Sequence, residues 1–380
     1  MIPYGKQHIT QEDIDAVVQV LQSDFLTQGP KIAGFENAFA GYIGCKYAVA
    51  VANGTAALHL SALALGINSS TNVITTPITF CASANCVRYC GGNVFFADID
   101  ATTLTLDINK VEELILSKPA GFFSGIIPVD FAGLPVNLEA FKMLADKYGL
   151  WMLEDACHAP GGYLIDSQGN KQHAGNGNYA ELAIFSFHPV KHIATGEGGM
   201  ITTNDEGLYK KLLKLRTHGI TKDPEQMHEN HGGWYMEMQT LGYNYRIPDV
   251  LCALGTSQLT RAAEGLIKRK AIAARYTETL TNLPIELPTY DEGHAFHLYI
   301  IKTDKRKELY DYLRTKNIFA QVHYIPVHTM PYYREQGFAK GDFPISETYY
   351  EECLSIPMYP TLSEIEQEYV INNIKIFFNE

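Results

Sequence analysis

Long apolar runs are missing from this chain: no stretch of its 380 residues approaches the roughly 18 uninterrupted apolar positions of a membrane span. The opening, MIPYGKQHITQED, puts polar residues where a secretory signal needs an apolar core, so the chain is expected to be soluble and cytoplasmic. Basic charge is short as well. Thirty Lys and Arg against 42 Asp and Glu give a formal charge of -12, and no Lys/Arg block occurs, so neither a nucleic-acid backbone nor an anionic membrane is an expected partner. Cysteine is sparse and odd in number, seven in all, with no CxxC spacing; this excludes a disulfide framework and a zinc site of ordinary spacing. Internal repeats and low-complexity tracts are absent too, which removes solenoids and disordered scaffolds.

What is present is an alternation. The length exceeds one ordinary core, on the order of 150 residues per domain, and suggests two lobes. Thr10 reads as the N-cap of a first helix, with Asp13 three residues on and Ile14, Val17, Val18 and Leu21 along one face. From about residue 46, short β-rich runs (YAVAVAN, NVITTPI, NVFFADID, GIIPVDFAG, LWMLEDA, AIFSFH, GMITTN) alternate with helical stretches. Continuous apolar strands separated by helices predict an α/β architecture with a mostly parallel central sheet covered on both faces. Beyond a long helical region, about 249 to 280, the texture turns to that of a smaller C-terminal α+β domain. The expected boundaries are an N-terminal arm and helix over 1–35, a large α/β domain over 36–250, and the long helix with the small domain over 251–380.

Ligands of such sheets collect beyond the carboxyl ends of the strands, and three segments there carry unusual chemistry. In AVANGTAALHL a strand runs into Asn53, Gly54 and Thr55 as a helix starts; free N–H groups and a small hydroxyl suit a phosphate. Taken alone, the segment reads more readily as an ordinary strand-to-helix turn with Thr55 as the helix cap. In LWMLEDACHAPGG a buried strand ends on Glu154 and Asp155, with His158 following. A carboxylate there needs a cationic or hydrogen-bonding partner, and a heteroaromatic nitrogen would serve; a helix cap is the plainer alternative. A metal held by Asp155, His158, His188 and His192 is disfavoured, because Pro189 interrupts the helix that would align the two later histidines. In FSFHPVKHIATGEGGM, Lys191 lies just past an apolar strand, where a surface lysine is out of place. A lysine in one cleft with a phosphate turn, a ring-nitrogen carboxylate and the Ser186 hydroxyl can condense with an aldehyde, and together these groups specify pyridoxal phosphate.

The chain here resembles the DegT/DnrJ/EryC1/StrS nucleotide-sugar aminotransferases over essentially its whole length. The matching pieces are LTQGP, NGTAALHL, PITFCASAN, EDACHA, FSFHPVKHIATGEGGM, LGYNYRIPD and QVHYIPVH, in that order. The resemblance implies a fold-type I, aspartate-aminotransferase-like transferase that uses pyridoxal 5'-phosphate, with pyridoxamine 5'-phosphate in the half-reaction. It makes Lys191 the Schiff-base lysine and Asp155 the partner of the pyridine nitrogen. Gly54, Thr55 and Ser186 become phosphate contacts, Phe80 the aromatic stacked on the ring, and His158 a neighbour of the ring. By the same resemblance Asn244 reaches the phosphate of a neighbouring subunit, which implies a homodimer with shared active sites. Arg246 would hold the donor's α-carboxylate, and Tyr4, Leu26, Thr27, His323 and Tyr324 would line the nucleotide-sugar pocket. Within the family the chain is most similar to the aminotransferases of pseudaminic acid biosynthesis. These move an amino group from L-glutamate to C-4 of a UDP-linked 4-keto-6-deoxy-N-acetylhexosamine. Two alternatives stand beside this: another nucleotide keto sugar, aminated at C-3 or C-4 and linked to dTDP or GDP, and a non-catalytic sugar-nucleotide sensor of the same fold. The sensor predicts a damaged cofactor site, whereas Lys191, Asp155, Thr55 and Ser186 are all present.

Overall fold

The computed structural model describes residues 1–289 and 291–378, so the last two positions of the expected C-terminal domain lie outside the described residues. Its centre is a seven-stranded sheet of β1 (Tyr47–Val51), β2 (Asn72–Thr75), β3 (Asn93–Phe96), β4 (Gly125–Ile127), β5 (Trp151–Asp155), β6 (Leu182–Ser186) and β7 (Gly199–Thr203). The spatial order is β1–β7–β6–β5–β4–β2–β3. Strands β2 to β6 run parallel, and Asp155 pairs with Ile184 across β5 and β6. Only β7 is reversed, with Gly199 opposite both Ser186 and Val51. That reversal folds the segment between β6 and β7, which carries Lys191, back over the carboxyl ends of the strands.

Alternation along each strand explains why both faces are covered. Val49 and Val51 join Ile184 and Ile201 on one face, against Leu58 and Leu60 of the helix Gly54–Ala64 and Leu212 of the helix Glu206–Arg216. Ala48, Ala50, Phe185 and Met200 point the other way, onto Phe35, Phe39 and Ile43 of the helix Pro30–Ile43. The smaller lobe is built on the antiparallel pair Tyr299–Lys302 and Cys353–Ile356, backed by the helices Ala262–Leu280, Arg306–Thr315 and Glu364–Phe377. The start of the chain belongs to that lobe: Ile2–Pro3 pairs in parallel with Ile318–Phe319, and Met358 N donates to Tyr4 O at 2.9 Å. Among the described residues no helix is long and apolar enough to cross a membrane.

Two helical expectations change. The region from 249 to 280 is two helices, Asp249–Leu259 and Ala262–Leu280, broken where Arg261 turns to bind Asp13. The first helix, Gln11–Leu21, starts at the expected Thr10, whose N–H donates to Asp13 Oδ2 at 2.9 Å, yet its apolar stripe faces outward: Ile14, Val18 and Leu21 are exposed, while Asp13 and Val20 are buried. The helix docks through Asp13, which accepts from Gln258 Nε2 at 2.7 Å and Arg261 Nη2 at 2.7 Å. The stripe, together with exposed Phe25 and Leu26, is left uncovered in a single chain.

Buried Asp249 fastens the segment after this helix. Its carboxylate accepts from Gly29 N at 2.8 Å and Lys31 N at 2.9 Å, and its own N–H donates to Leu26 O at 3.0 Å. Asp249→Ala strands two N–H donors without their charged acceptor and should cost about 2–4 kcal/mol of stability, read as a lower urea midpoint at unchanged slope.

Candidate active site

A cavity of about 440 Å³ opens at the carboxyl ends of β1, β5 and β6, roofed by His297, His323 and Tyr324 of the smaller lobe. Its floor begins at the turn after β1. The helix Gly54–Ala64 is capped not by Thr55, as the sequence suggested, but by Asn53, whose side chain accepts from Ala56 N at 2.8 Å. Gly54 and Thr55 thus occupy the first turn, where N–H groups have no intrahelical partner. Ser186 stands across from them at the end of β6: a Cβ on Gly54 would lie 3.0 Å from Ser186 Cβ, and one on Gly199 would lie 2.5 Å from Asn53 O. Glycine at 54 leaves a narrow cradle open against Ser186, and glycine at 199 lets β7 pass close to the Asn53 backbone. His188 N donates weakly to Ser186 Oγ at 3.4 Å, which leaves the hydroxyl proton of Ser186 for an anion.

Asp155 ends β5 at the far side of the cavity. Ser83 Oγ donates to its Oδ2 at 2.6 Å and Cys157 N to its Oδ1 at 3.2 Å, so the carboxylate is fixed in direction. Behind it lie two more buried carboxyls, Asp130 and Glu154. Burial pushes Asp130 up to about 7, and burial with the neighbouring Asp130 charge pushes Glu154 well above the carboxylate range, so the pair retains a proton. Val136 N donates to Asp130 Oδ1 at 2.9 Å and Gly175 N to Glu154 Oε1 at 2.9 Å. The folded chain holds this proton at a pH where an unfolded carboxyl, with its pKa near about 4, has released it. Stability from this pair is therefore full below about pH 4 and declines as pH rises toward 7. Asp130→Asn, which supplies a permanent donor, should flatten that decline in urea denaturation compared at pH 5 and pH 8.

Lys191 extends from the turn after β6, its N–H donating to His188 O at 2.8 Å. Its amine meets His297 Nε2 at 3.4 Å. Burial pushes the amine below the ordinary lysine range; nearby Cys157 and Asp155 oppose that shift, and Arg269 adds to it. A lysine shifted downward at a cavity wall is a nucleophile and base rather than a surface charge. The imidazoles around it stay neutral, since burial first and the Lys191 charge second hold His158 and His297 well below the usual histidine range. His158 Nε2 lies 3.2 Å from Tyr324 OH, and its ring stands 4.3 Å from that of His297. His323 Nδ1 lies 2.8 Å from Ser355 Oγ, and its ring faces Tyr4 at 5.0 Å.

One cavity thus gathers Tyr4, Gly54, Thr55, Phe80, Asp155, His158, Ser186, Lys191, His323 and Tyr324. Phe80 is 59% exposed at its mouth, which excludes a role as core packing. Leu26, Thr27, Asn244 and Arg246 do not line it. Leu26 O accepts from Asp249 N, and Tyr245, between Asn244 and Arg246, accepts at its carbonyl from Ala52 N at 2.8 Å. The sequence did not single out Ser83 or His297, and it placed Asn53 in the turn without marking it as the cap. Ser83 lies within the quoted PITFCASAN piece and Asn53 within NGT, so position was available and only the role was missing. His297 sits as one histidine in an apolar run, AFHLYI, with nothing to mark it.

The free N–H turn, the serine hydroxyl, the directed carboxylate and the amine with a lowered pKa match the donor set of a phosphorylated pyridine aldehyde. The glycine-bounded cradle leaves room for its phosphate. Sheet and site together define a fold-type I pyridoxal-phosphate-dependent transferase. The chain belongs to the DegT/DnrJ/EryC1/StrS aminotransferase family, which it matches over residues 7–375. It is 37% identical to the spore coat polysaccharide biosynthesis protein SpsC of Bacillus subtilis, across 98% of this chain and 96% of that one. Among solved structures, it is similar to PseC of Helicobacter pylori, an aminotransferase involved in pseudaminic acid biosynthesis. The TM-score is 0.89 at 30% identity over 99% of both chains. The Streptococcus pneumoniae protein Spr1654, solved in its PMP form, gives 0.91 at 27% identity over 99% of this chain and 98% of that one.

Proposed function

We propose that this protein transfers the amino group of L-glutamate to C-4 of a UDP-linked 4-keto-6-deoxy-N-acetylhexosamine, in the cytoplasm and as a homodimer. The observation that carries the aminotransferase chemistry is the placement of the Lys191 amine in one cavity with Asp155 and the unengaged turn at Gly54 and Thr55. The similarity to PseC supports the choice of sugar. Pyridoxal phosphate, when bound, supplies an aldehyde that condenses with amines and a ring that takes up electrons from a carbon bond. Gly54 and Thr55 N–H, with the hydroxyls of Thr55 and Ser186, would hold its phosphate. Asp155, directed by Ser83, would keep a proton on its ring nitrogen, and Phe80 would cover the ring at the mouth. Lys191 Nζ would take the proton from the α-carbon of glutamate and, in the second half, deliver one to C-4 of the sugar.

Dimerisation finds support in surfaces that one chain leaves unused. The stripe of Ile14, Val18 and Leu21 continues into exposed Phe25 and Leu26. The side chains of Asn244 and Arg246, near the cavity yet outside it, make no hydrogen bond or ion pair among the described residues, which suits contact with a second copy across the interface. The 37% identity to a polysaccharide biosynthesis protein favours one alternative, a different nucleotide keto sugar.

Incubating the enzyme with glutamate, cofactor and a panel of UDP- and dTDP-keto sugars, then identifying the products by mass spectrometry and NMR, tests both. A 4-amino UDP-sugar is expected. A product from dTDP-sugars or 3-keto sugars alone would move the assignment to that substrate, and a cofactor-binding protein that aminates none of them would be a sensor.

A further inference from the structure

Arg269, on the helix Ala262–Leu280, is 1% exposed, and the partners of its guanidinium among the described residues are carbonyls alone. Its Nη1 donates to the carbonyl oxygens of Phe296 at 3.1 Å, His297 at 3.3 Å and Met358 at 3.0 Å. A buried cation without a carboxylate is costly to maintain, and what this one does is pin the backbone on both sides of the His297 side chain. The same short segment touches the lysine turn twice. Ala295 O lies 2.9 Å from His192 Nε2, and His297 Nε2 lies 3.4 Å from Lys191 Nζ. The ring of His158, 4.3 Å away, closes the other side of the imidazole, and His297 Nδ1 is buried without a partner.

We propose that His297 is a positioning residue for Lys191, its Nε2 accepting a hydrogen bond from Nζ whenever that amine is not covalently engaged. This rests on the reading of Lys191 given above. A lysine amine released into a cavity of about 440 Å³ swings on four single bonds unless something holds it; a rigid acceptor keeps it beside the reacting carbon, where a misplacement of about 1 Å costs on the order of 10²-fold. Burial keeps the imidazole neutral, as an acceptor must be. The other titratable groups facing the amine are Asp155, Cys157, His158, His192, Arg269 and His323, and all remain in the variants compared below.

The test uses the full-length protein freed of cofactor, with cyanate as the probe of neutral amine and peptide mass spectrometry reading Lys191 alone across pH. The hydrogen bond favours the charged amine, so His297→Phe should lower the apparent pKa of Lys191 by about one unit. His297→Gln, whose Oε1 can accept in place of Nε2, should restore it to within about 0.3 unit. Rescue by glutamine separates a hydrogen-bonding role from packing. Independently of whether the phenylalanine variant folds, ring ¹⁵N spectra of the unmutated protein should show the Nδ1–H tautomer, with the His297 signal identified by its loss in His297→Gln. An unmoved pKa in His297→Phe, equal values in the two variants, or an Nε2–H tautomer overturns the proposal. Borohydride reduction with pyridoxal phosphate serves as the control: a label landing away from Lys191 defeats the functional reading and this inference together, whereas a label on Lys191 with an unmoved pKa defeats this inference alone.

Discussion

Lys191→Ala is expected to leave a folded protein that transfers no measurable amino group, with turnover from glutamate to keto sugar reduced by about 10⁴ or more. Two functions sit on one atom. In the proposed mechanism Nζ bonds the cofactor aldehyde, and it is the only amine among the described residues lining the cavity, so no neighbour would replace it as the proton carrier. The imidazoles nearby are poor substitutes: His158 is engaged with Tyr324, His192 with a backbone carbonyl, and burial holds His297 well below the usual histidine range, so it is a weak base. Folding should survive, since the turn is held by the bond from Lys191 N to His188 O, which alanine retains, and removing a partly desolvated amine costs little. Lys191→Arg should be as inactive as alanine, because a guanidinium stays protonated and cannot form the imine. Steady-state turnover, with borohydride labelling of the peptide that contains residue 191, checks both variants. Activity within tenfold of the unmutated enzyme in either would remove the mechanism.

How far the residues announced the structure depends on which physical signal each one carried. Buried strands of a covered sheet are continuous apolar runs, so YAVAVAN, LWMLEDA and AIFSFH declared themselves, and Asp155 stood out as a charge near the end of one run and Lys191 as a charge in the turn after another. Direction leaves no such trace: GMITT reads the same parallel or reversed, and only the pairing of Gly199 with Ser186 and Val51 shows that β7 runs backward. The first helix teaches a related lesson. Its periodicity is real, but an apolar stripe does not say what covers it; buried Asp13 and its bond to Arg261 turned the stripe outward. Leu26, Thr27, Asn244 and Arg246 came from family resemblance alone, and no local pattern could say that they lie outside the cavity of one chain. His297 was invisible for the opposite reason, because its role depends on Lys191 more than a hundred positions earlier in the chain. The sugar lies deepest of all, since it depends on pocket shape, which no motif encodes.

Asp155→Asn should cut turnover by about 10²–10³, the scale of removing one directed charge from a site where charge develops. The substitution keeps size and shape, and Ser83 Oγ, now 2.6 Å from Oδ2, can still donate to an amide oxygen. What disappears is the negative charge that, in the proposed mechanism, would hold a proton on the ring nitrogen, so cofactor binding should persist while the step that breaks the carbon–hydrogen bond slows. Asp155→Ala removes both charge and contact and should lose retention of the cofactor as well. A second consequence separates an electrostatic role from a merely steric one. The Asp155 charge is one of the influences that raise the pKa values of Asp130 and Glu154 behind it. With asparagine there, the proton shared by that pair should be released at lower pH, and the decline of stability between about pH 4 and 7 should move downward. Alanine should shift it in the same direction. If kcat falls but the pH dependence of the urea midpoint stays where it was, Asp155 does not act through its charge, and the three carboxyls are not the connected cluster that their burial implies.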